Sequence, residues 1–406
     1  MDSLSYSGEV PLNKLCGMAE MRNLAWRRAL RDLDVYRKGA PFHRKAWEFA
    51  HAVYGLRKLE RLAPNAVALG VGSGHEMILY FLANKVAKVV ATDLYEGSFA
   101  EREGSPHMLH CPEMFAPFHY RKDHLEVLAT DARKLDFPSG TFDFVFSFSA
   151  IEHFGARRDA VTALREMLRV LKPGGIAVIT TELILNRLGK TRGFFRRSEI
   201  EDVFVASTGF EIVGGNVDYR IERRFVRGAV EFPQGKLGEP CIVLRKGLML
   251  FTSIILFLQK PVGASSGRAV AVTGTEKFYR VRRCVHKAEI VSSVTRMSAK
   301  KGALMRVPLR VRNAGDVTWY NYPCETHTVR PGAHLLDASG ELLSRDFARG
   351  DLPVSVGPGE DIRVVLLARA PRQRGDFLVE VDLVKEGVLW FAEEGSQTLQ
   401  IPLRVE

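Results

Sequence analysis

Between residues 66 and 260 strand-like and helix-like segments alternate without a break, and this order constrains the fold more than any other feature of the chain. "AVALGV", "AKVVATD", "LEVLATD", "FDFVFSF", "GIAVITTE", "FEIVGGN" and "FTSIILFLQK" are short apolar runs that predict strands. "GHEMILYFLANK", "RDAVTALREMLRVLK" and "RRSEIEDVFVASTG" carry the helical period. Strands separated by helices pair in parallel, with helices on both faces, so an α/β, doubly wound sheet is expected over 63–262. Residues 1–62 alternate apolar and basic residues at helical spacing and predict a helical cap. Gly, Ser and Pro then accumulate, and 263–279 reads as a linker. Beyond it the helical period is lost. "ALMRVPLRVRNAG", "EDIRVVLLARAP" and "GDFLVEVDLVKEG" alternate between turn signals, predicting an antiparallel β-sandwich over 280–406.

The stretch "VALGVGSGHE" follows the first predicted strand and asks which ligand it holds. A dinucleotide turn, GxGxxG, needs glycines at 70, 72 and 75. Here position 75 is His75 and the third glycine is Gly74, so the spacing is GxGxG. Such a turn lets a ligand lie against backbone at the carboxyl end of a strand, where the following helix, starting near Glu76, directs free amides. The next two strands each end in an acid, Asp93 in "VVATD" and Asp131 in "VLATD". Carboxylates at such positions accept hydrogen bonds from ribose hydroxyls or a base amino group.

"FDFVFSFSAIEHF" and "LREMLRVLKPGG" complete the pattern. With them the chain resembles class I S-adenosylmethionine-dependent methyltransferases of the type 11 group over roughly 45–260. The resemblance implies a Rossmann-like sheet with an antiparallel last strand and S-adenosylmethionine as cofactor. Carried over, Gly70, Gly72 and Gly74 line its methionine part, Asp93 holds the ribose, and Asp131 with Ala132 brackets the adenine. Phe148 and Ser149 border the methyl group. The family has an acid two positions before the first glycine, where this chain has Ala68; Glu76 is the candidate replacement.

A sulfonium methyl is already activated, so the protein need only align an acceptor, exclude water and take a proton if the acceptor is a hydroxyl. His153 is the candidate base, with Glu152 orienting it or binding substrate; the alternative is that this pair only packs. "SFSA" replaces the [DNS]PP[YFW] box of base-amino methylases, and no Pro-Cys nucleophile is present, so no specific nucleic-acid substrate is expected. The insert after Asp93 holds His107, His110, Cys111 and His119 at no zinc spacing, so no metal is expected and a substrate lid is the better reading. Arg196 and Arg197 in "FFRRSEI" suit either a phosphate or solvent.

The C-terminal half resembles the immunoglobulin-like sandwiches of bacterial surface-polysaccharide proteins, on "VPLRVRNAGDVTW" and "GDFLVEVDLVKEGVLWF". Trp319, Trp390 and Phe391 are there either core residues or sugar-stacking surfaces. The resemblance implies methyl transfer to a sugar hydroxyl of a surface polysaccharide or its lipid-linked intermediate, with a glycan or lipid-linked saccharide as substrate and polysaccharide-assembly proteins as partners. A small-molecule or lipid methyltransferase with a partner-docking sandwich, and a non-catalytic scaffold, remain alternatives. The formal charge of +11 favours anionic partners, including a membrane surface. Five scattered cysteines without CxxC, no leader pattern and no apolar run near the ~20 residues of a bilayer span fit a cytoplasmic protein.

Overall fold

A computed structural model describes residues 9–33, 43–96, 105–186, 188, 193–232, 241–262, 282–322 and 326–406. The chain divides into two units, one of residues 1–96, 108–110 and 119–281, the other of 97–107, 111–118 and 282–406. The helices predicted as a separate cap belong to the first unit, and the segment 63–262 contributes to both. The predicted linker, 263–279, lies outside the described residues.

In the first unit β1 (Lys14–Leu15), β2 (Val67–Val71), β3 (Lys88–Asp93), β4 (Leu125–Ala129), β5 (Phe142–Phe148), β6 (Leu171–Ile184), β7 (Glu211–Ile212), β8 (Val230–Glu231), β9 (Leu244–Lys246) and β10 (Met249–Gln259) form one sheet. Its path is β4-β3-β2-β5-β6-β10-β9-β8, with β1 and β7 also on β10. Strands β2 to β6 pair in parallel, and β10 runs antiparallel to β6, as expected. The chain steps from β2 out to β4, then returns to the other side of β2 as β5, so the order reverses between β2 and β5. The carboxyl ends of those two strands form the crevice where doubly wound sheets bind ligands.

Every residue of β5 is buried, which explains its unbroken "FDFVFSF" run rather than an alternating one. Helix α1 (Leu24–Asp32) packs on α2 (Arg44–Lys58). His51 of α2 fixes them: its Nδ1 accepts from Trp26 Nε1 at 3.3 Å and its Nε2 lies 3.1 and 3.0 Å from the Pro11 and Leu12 carbonyls. Helix α3 (Met77–Ala83) is shorter than its pattern suggested. Helix α4 (Arg157–Val170) buries Ala160, Ala163, Leu164, Met167 and Val170, one face at helical spacing. The strand expected over "FEIVGGN" is reduced to β7, because Gly214 and Gly215 follow at φ 75° and 71° and turn the chain off the sheet. Among the described residues no helix is long and apolar enough to cross a membrane.

In the second unit the strands form two sheets. β11 (Ala288–Ser292), β13 (Leu304–Asn313) and β16 (Asp361–Arg369) make one sheet. β12 (Met297–Ala299), β14 (Val329–Asp337), β15 (Leu342–Arg349), β17 (Gly375–Lys385), β18 (Leu389–Trp390) and β19 (Leu399–Val405) make another. Pairing is antiparallel except between β12 and β19. Buried residues of both sheets, such as Val307, Leu366, Val379 and Ile401, share one core. Trp319 and Phe391 lie in that interior, and Trp390 is buried outside it, packed on His334 with Arg349 over its ring.

Among the described residues of the insert after β3, 105–107 and 111–118 belong to this unit. Tyr320 Oη donates to Glu113 Oε1 at 3.1 Å, Phe115 packs on His327, and His107 stacks on Tyr322 with ring centroids 5.0 Å apart. Arg196 and Arg197 stand in the first unit. Arg197 caps the Tyr219 ring at 4.1 Å, and the Arg196 amide donates to Glu199.

Candidate functional site

The GxGxG loop follows β2 at the reversal point. Gly72 has φ 61° and Gly74 φ 45°, conformations that glycine adopts freely. A Cβ on Gly72 would meet Ala150 at 2.8 Å and the Phe154 ring at 2.9 Å, and one on Gly70 would meet the Phe146 ring at 2.8 Å. The loop is therefore pressed against the residues that follow β5. Asp93 fastens it from the neighbouring strand: Oδ2 accepts from the Gly74 amide at 2.9 Å and Oδ1 from the Leu94 amide at 2.7 Å. Buried Tyr95, at φ 52°, adds a hydrogen bond from its hydroxyl to the Gly74 carbonyl at 3.1 Å.

Asp131 ends the next segment outward, after β4. Arg133 Nε and Nη2 grip its carboxylate at 2.9 and 2.6 Å, and the Arg133 amide donates at 2.8 Å. These bonds hold the Asp131 carboxyl below the usual range. Ala132 beside it is buried. Gly70–Gly74, Asp93 and Asp131 thus occupy one edge of three adjacent strands, spaced by ~4.8 Å per strand.

On the other side of the crevice the structure adds residues that the sequence reading treated as cap or core. Lys45 of α2 donates to Glu76 Oε1 and to the Phe148 carbonyl, both at 2.9 Å. Burial works against its charge, but Glu76 and Glu48 more than offset it and raise its pKa. The Phe148 ring itself is buried, stacked on Phe146, so its carbonyl is the part that Lys45 meets. Glu48, three residues further along α2, is fully buried. It accepts from Ser253 Oγ at 2.5 Å, Thr180 Oγ1 at 2.9 Å, Ser149 Oγ at 3.2 Å and Arg44 Nη1 at 3.3 Å. Burial disfavours its charge, yet Lys45, Arg44 and these hydroxyls keep its pKa below the ordinary value. Arg44 also pairs with Glu182. One helix is thereby tied to the ends of β5, β6 and β10. Ser149 stands at φ 48°, a strained conformation held by Glu48 and by Thr180, whose carbonyl and hydroxyl take the Ser149 amide at 3.0 and 2.9 Å.

Glu152 and His153 follow on a short turn, Ile151–His153. Glu152 turns inward and accepts from Thr181 Oγ1 at 2.9 Å, leaving Oε1 buried without a hydrogen-bond partner. His153 is exposed. Burial, then the nearby Glu182 charge, push the Glu152 carboxyl up to about 8, so it carries its proton at neutral pH. The folded form then binds a proton that the unfolded chain, near 4.5, releases. Stability therefore falls as pH rises from about 4.5 to about 8. Glu152→Gln mimics the protonated form throughout. Its melting temperature relative to the native protein is expected to climb across that window and level off above it; parallel pH profiles in calorimetry would refute a buried, protonated Glu152.

Ala68, where the family pattern has an acid, is fully buried within β2. Among the described residues no group of three or more His, Cys, Asp or Glu could hold a metal ion.

Residues 69–179, which contain the loop, both acids and the Glu152–His153 turn, match the family model for a methyltransferase domain. This stretch is thus similar to methyltransferase domains. It is 31% identical over 132 residues to the 2-methyl-6-phytyl-1,4-hydroquinone methyltransferase of Synechocystis, a match spanning 32% of this chain and 37% of that relative. The chain thus aligns with little more than a third of that protein. A S-adenosylmethionine-dependent methyltransferase structure from Methanosarcina mazei is 18% identical, covering 50% of this chain and 96% of that one, with a TM-score of 0.35. The [4+2]-cyclase SpnF is 14% identical over 63% of this chain and 100% of its own, with a TM-score of 0.36. Phosphoethanolamine N-methyltransferase 2 of Haemonchus contortus, solved with S-adenosylmethionine, is 20% identical over 38% of this chain and 35% of its own, with a TM-score of 0.31. Lys45 and Glu48 come from α2, outside the matched residues.

Proposed function

We propose that the methyltransferase domain uses S-adenosylmethionine and methylates a hydroxyl of a lipid-linked saccharide used for a bacterial surface polysaccharide. The observation that supports the cofactor is the convergence of the glycine loop, Asp93 and Asp131 on one edge of neighbouring strands. The donor set fits. Asp93 stands at the end of β3 beside the glycine loop, where a carboxylate accepts hydrogen bonds from ribose hydroxyls. Asp131 offers acceptance to an adenine amino group beside the apolar wall of Ala132. The Lys45–Glu76 pair matches the carboxylate and ammonium of the methionine end, taking the place of the acid absent at Ala68. When bound, the cofactor supplies an activated methyl. The protein's own residues then orient the acceptor and remove its proton.

His153 is the base in this reading: it is exposed just past β5, on the same turn as Glu152. A sugar hydroxyl has a pKa far above neutrality, and a positioned base is worth about 10²–10⁴ in rate. His153→Ala should lower turnover by that order and leave cofactor affinity nearly intact. Turnover within a few-fold of native would make His153 a surface residue only, and lost cofactor binding would make it part of the cofactor wall.

The acceptor rests on the resemblance of the second unit to sandwiches of polysaccharide proteins. The Synechocystis relative favours a second reading, a prenylated hydroquinone acceptor. Transfer of labelled methyl into extracted lipid-linked glycans supports the first, and transfer into phytyl hydroquinones alone supports the second. Transfer into neither, with cofactor bound, points to the scaffold alternative.

A further inference from the structure

The outer face of the three-stranded sheet in the second unit combines two features that are seldom exposed together. Strand β13 alternates strictly between buried and exposed residues. Its exposed set is Leu304, Arg306, Pro308, Arg310 and Arg312. Strand β16 does the same from Arg363 on, exposing Arg363, Val365, Leu367 and Arg369. The antiparallel register interleaves them: Leu304 lies opposite Arg369, Arg306 opposite Leu367, Pro308 opposite Val365, and Arg310 opposite Arg363. Val291 of β11 extends the same face beside Arg310. Leu304 is 56% exposed, Val291 55%, and Val365 and Leu367 44% each. Only Glu289 and Asp361 bring negative charge, and they pair with Arg312 and Arg310. Arg306, Arg363 and Arg369 are left to act outward.

We propose that this face docks on an anionic lipid surface, with Leu304, Val365, Leu367 and Val291 entering the interfacial region and Arg306, Arg363 and Arg369 meeting phosphate headgroups. Charge complementarity selects an anionic partner. The apolar side chains select among anionic partners. A hydrated glycan or a nucleic-acid backbone gains nothing from exposed leucine and valine, and the face carries no aromatic ring on which a sugar or base could stack. A bilayer interface accepts both kinds of group at once. A second copy of the same face would bring arginine against arginine, which opposes self-association. Strand dimensions make the platform roughly 30 Å long and 10 Å wide, enough for several headgroups. The proposal goes beyond the methyl-transfer reading and stands or falls apart from it.

Sedimentation of the full chain with vesicles tests the idea. Binding is expected to vesicles containing phosphatidylglycerol and not to pure phosphatidylcholine. Arg306→Glu/Arg363→Glu/Arg369→Glu should weaken it by about 100-fold or more, since each basic residue near such a surface is worth ~1 kcal/mol. Leu304→Ser/Leu367→Ser, which leaves the charge unchanged, should also weaken it and make the remainder more sensitive to salt. The exposed arginines of α1 serve as the charge control: Arg27→Glu/Arg28→Glu/Arg31→Glu should bind as the native protein does. Unchanged vesicle binding by the β-face charge variant, or an equal loss in the α1 variant, would overturn the proposal. So would binding to an acidic polysaccharide or to single-stranded DNA without any binding to vesicles.

Discussion

Glu48→Ala is expected to destabilise the first unit by about 3–5 kcal/mol, the scale for removing one partner from a buried charged network. The carboxylate is fully buried and is the common acceptor for Ser253, Thr180, Ser149 and Arg44. Without it three hydroxyls and a guanidinium edge lose their partner in the interior. Ser149 also loses one of the groups holding its left-handed backbone. Glu48→Gln keeps the shape and part of the hydrogen bonding and should cost less. The effect is to be read as the shift in a urea unfolding midpoint at constant slope. A loss below about 1 kcal/mol for the alanine variant would show that α2 is held by packing alone.

That network marks the limit of what the sequence reveals. The alternation of strands and helices was legible because strands buried on both faces are continuous apolar runs, as in β5. The loop was legible because the positive φ of Gly72 and Gly74 favours glycine, and Asp93 and Asp131 recur at strand ends. Lys45 and Glu48 were not, because they sit in a helix that reads as a cap; Lys45 meets Glu76 and Phe148, 31 and 103 positions away, and Glu48 meets Ser149 and Ser253, 101 and 205 positions away. A weak signal existed. Arg44 and Glu48 share one face of a helix in which most of the other residues are apolar and buried, and buried charges need partners. "TTE" at the end of β6 was the matching clue, polar residues directly after "GIAVI". The fate of the insert was illegible for another reason: its contacts to Tyr320, Tyr322 and His327 are made across some two hundred residues of chain, and no local pattern encodes them.

Asp93→Ala should weaken cofactor binding by roughly 1–3 kcal/mol, or about 5- to 150-fold, from lost hydrogen bonds to a charged acceptor. The loss has two sources. In the proposed site the carboxylate no longer accepts from the ribose, and the Gly74 amide is released from the 2.9 Å bond that sets the loop. Asp93→Asn separates them. It keeps an acceptor for one backbone amide but removes the charge, so its affinity should fall between native and alanine. Equal affinity in all three folded proteins would remove Asp93 from the cofactor site.

Isothermal titration of the full chain with S-adenosylmethionine, S-adenosylhomocysteine and NAD tests the central claim most directly. The GxGxG loop, the acids ending neighbouring strands and the Lys45–Glu76 pair predict saturable binding of both sulfur nucleosides and none of NAD. Binding of NAD with no heat from either sulfur nucleoside would contradict the account.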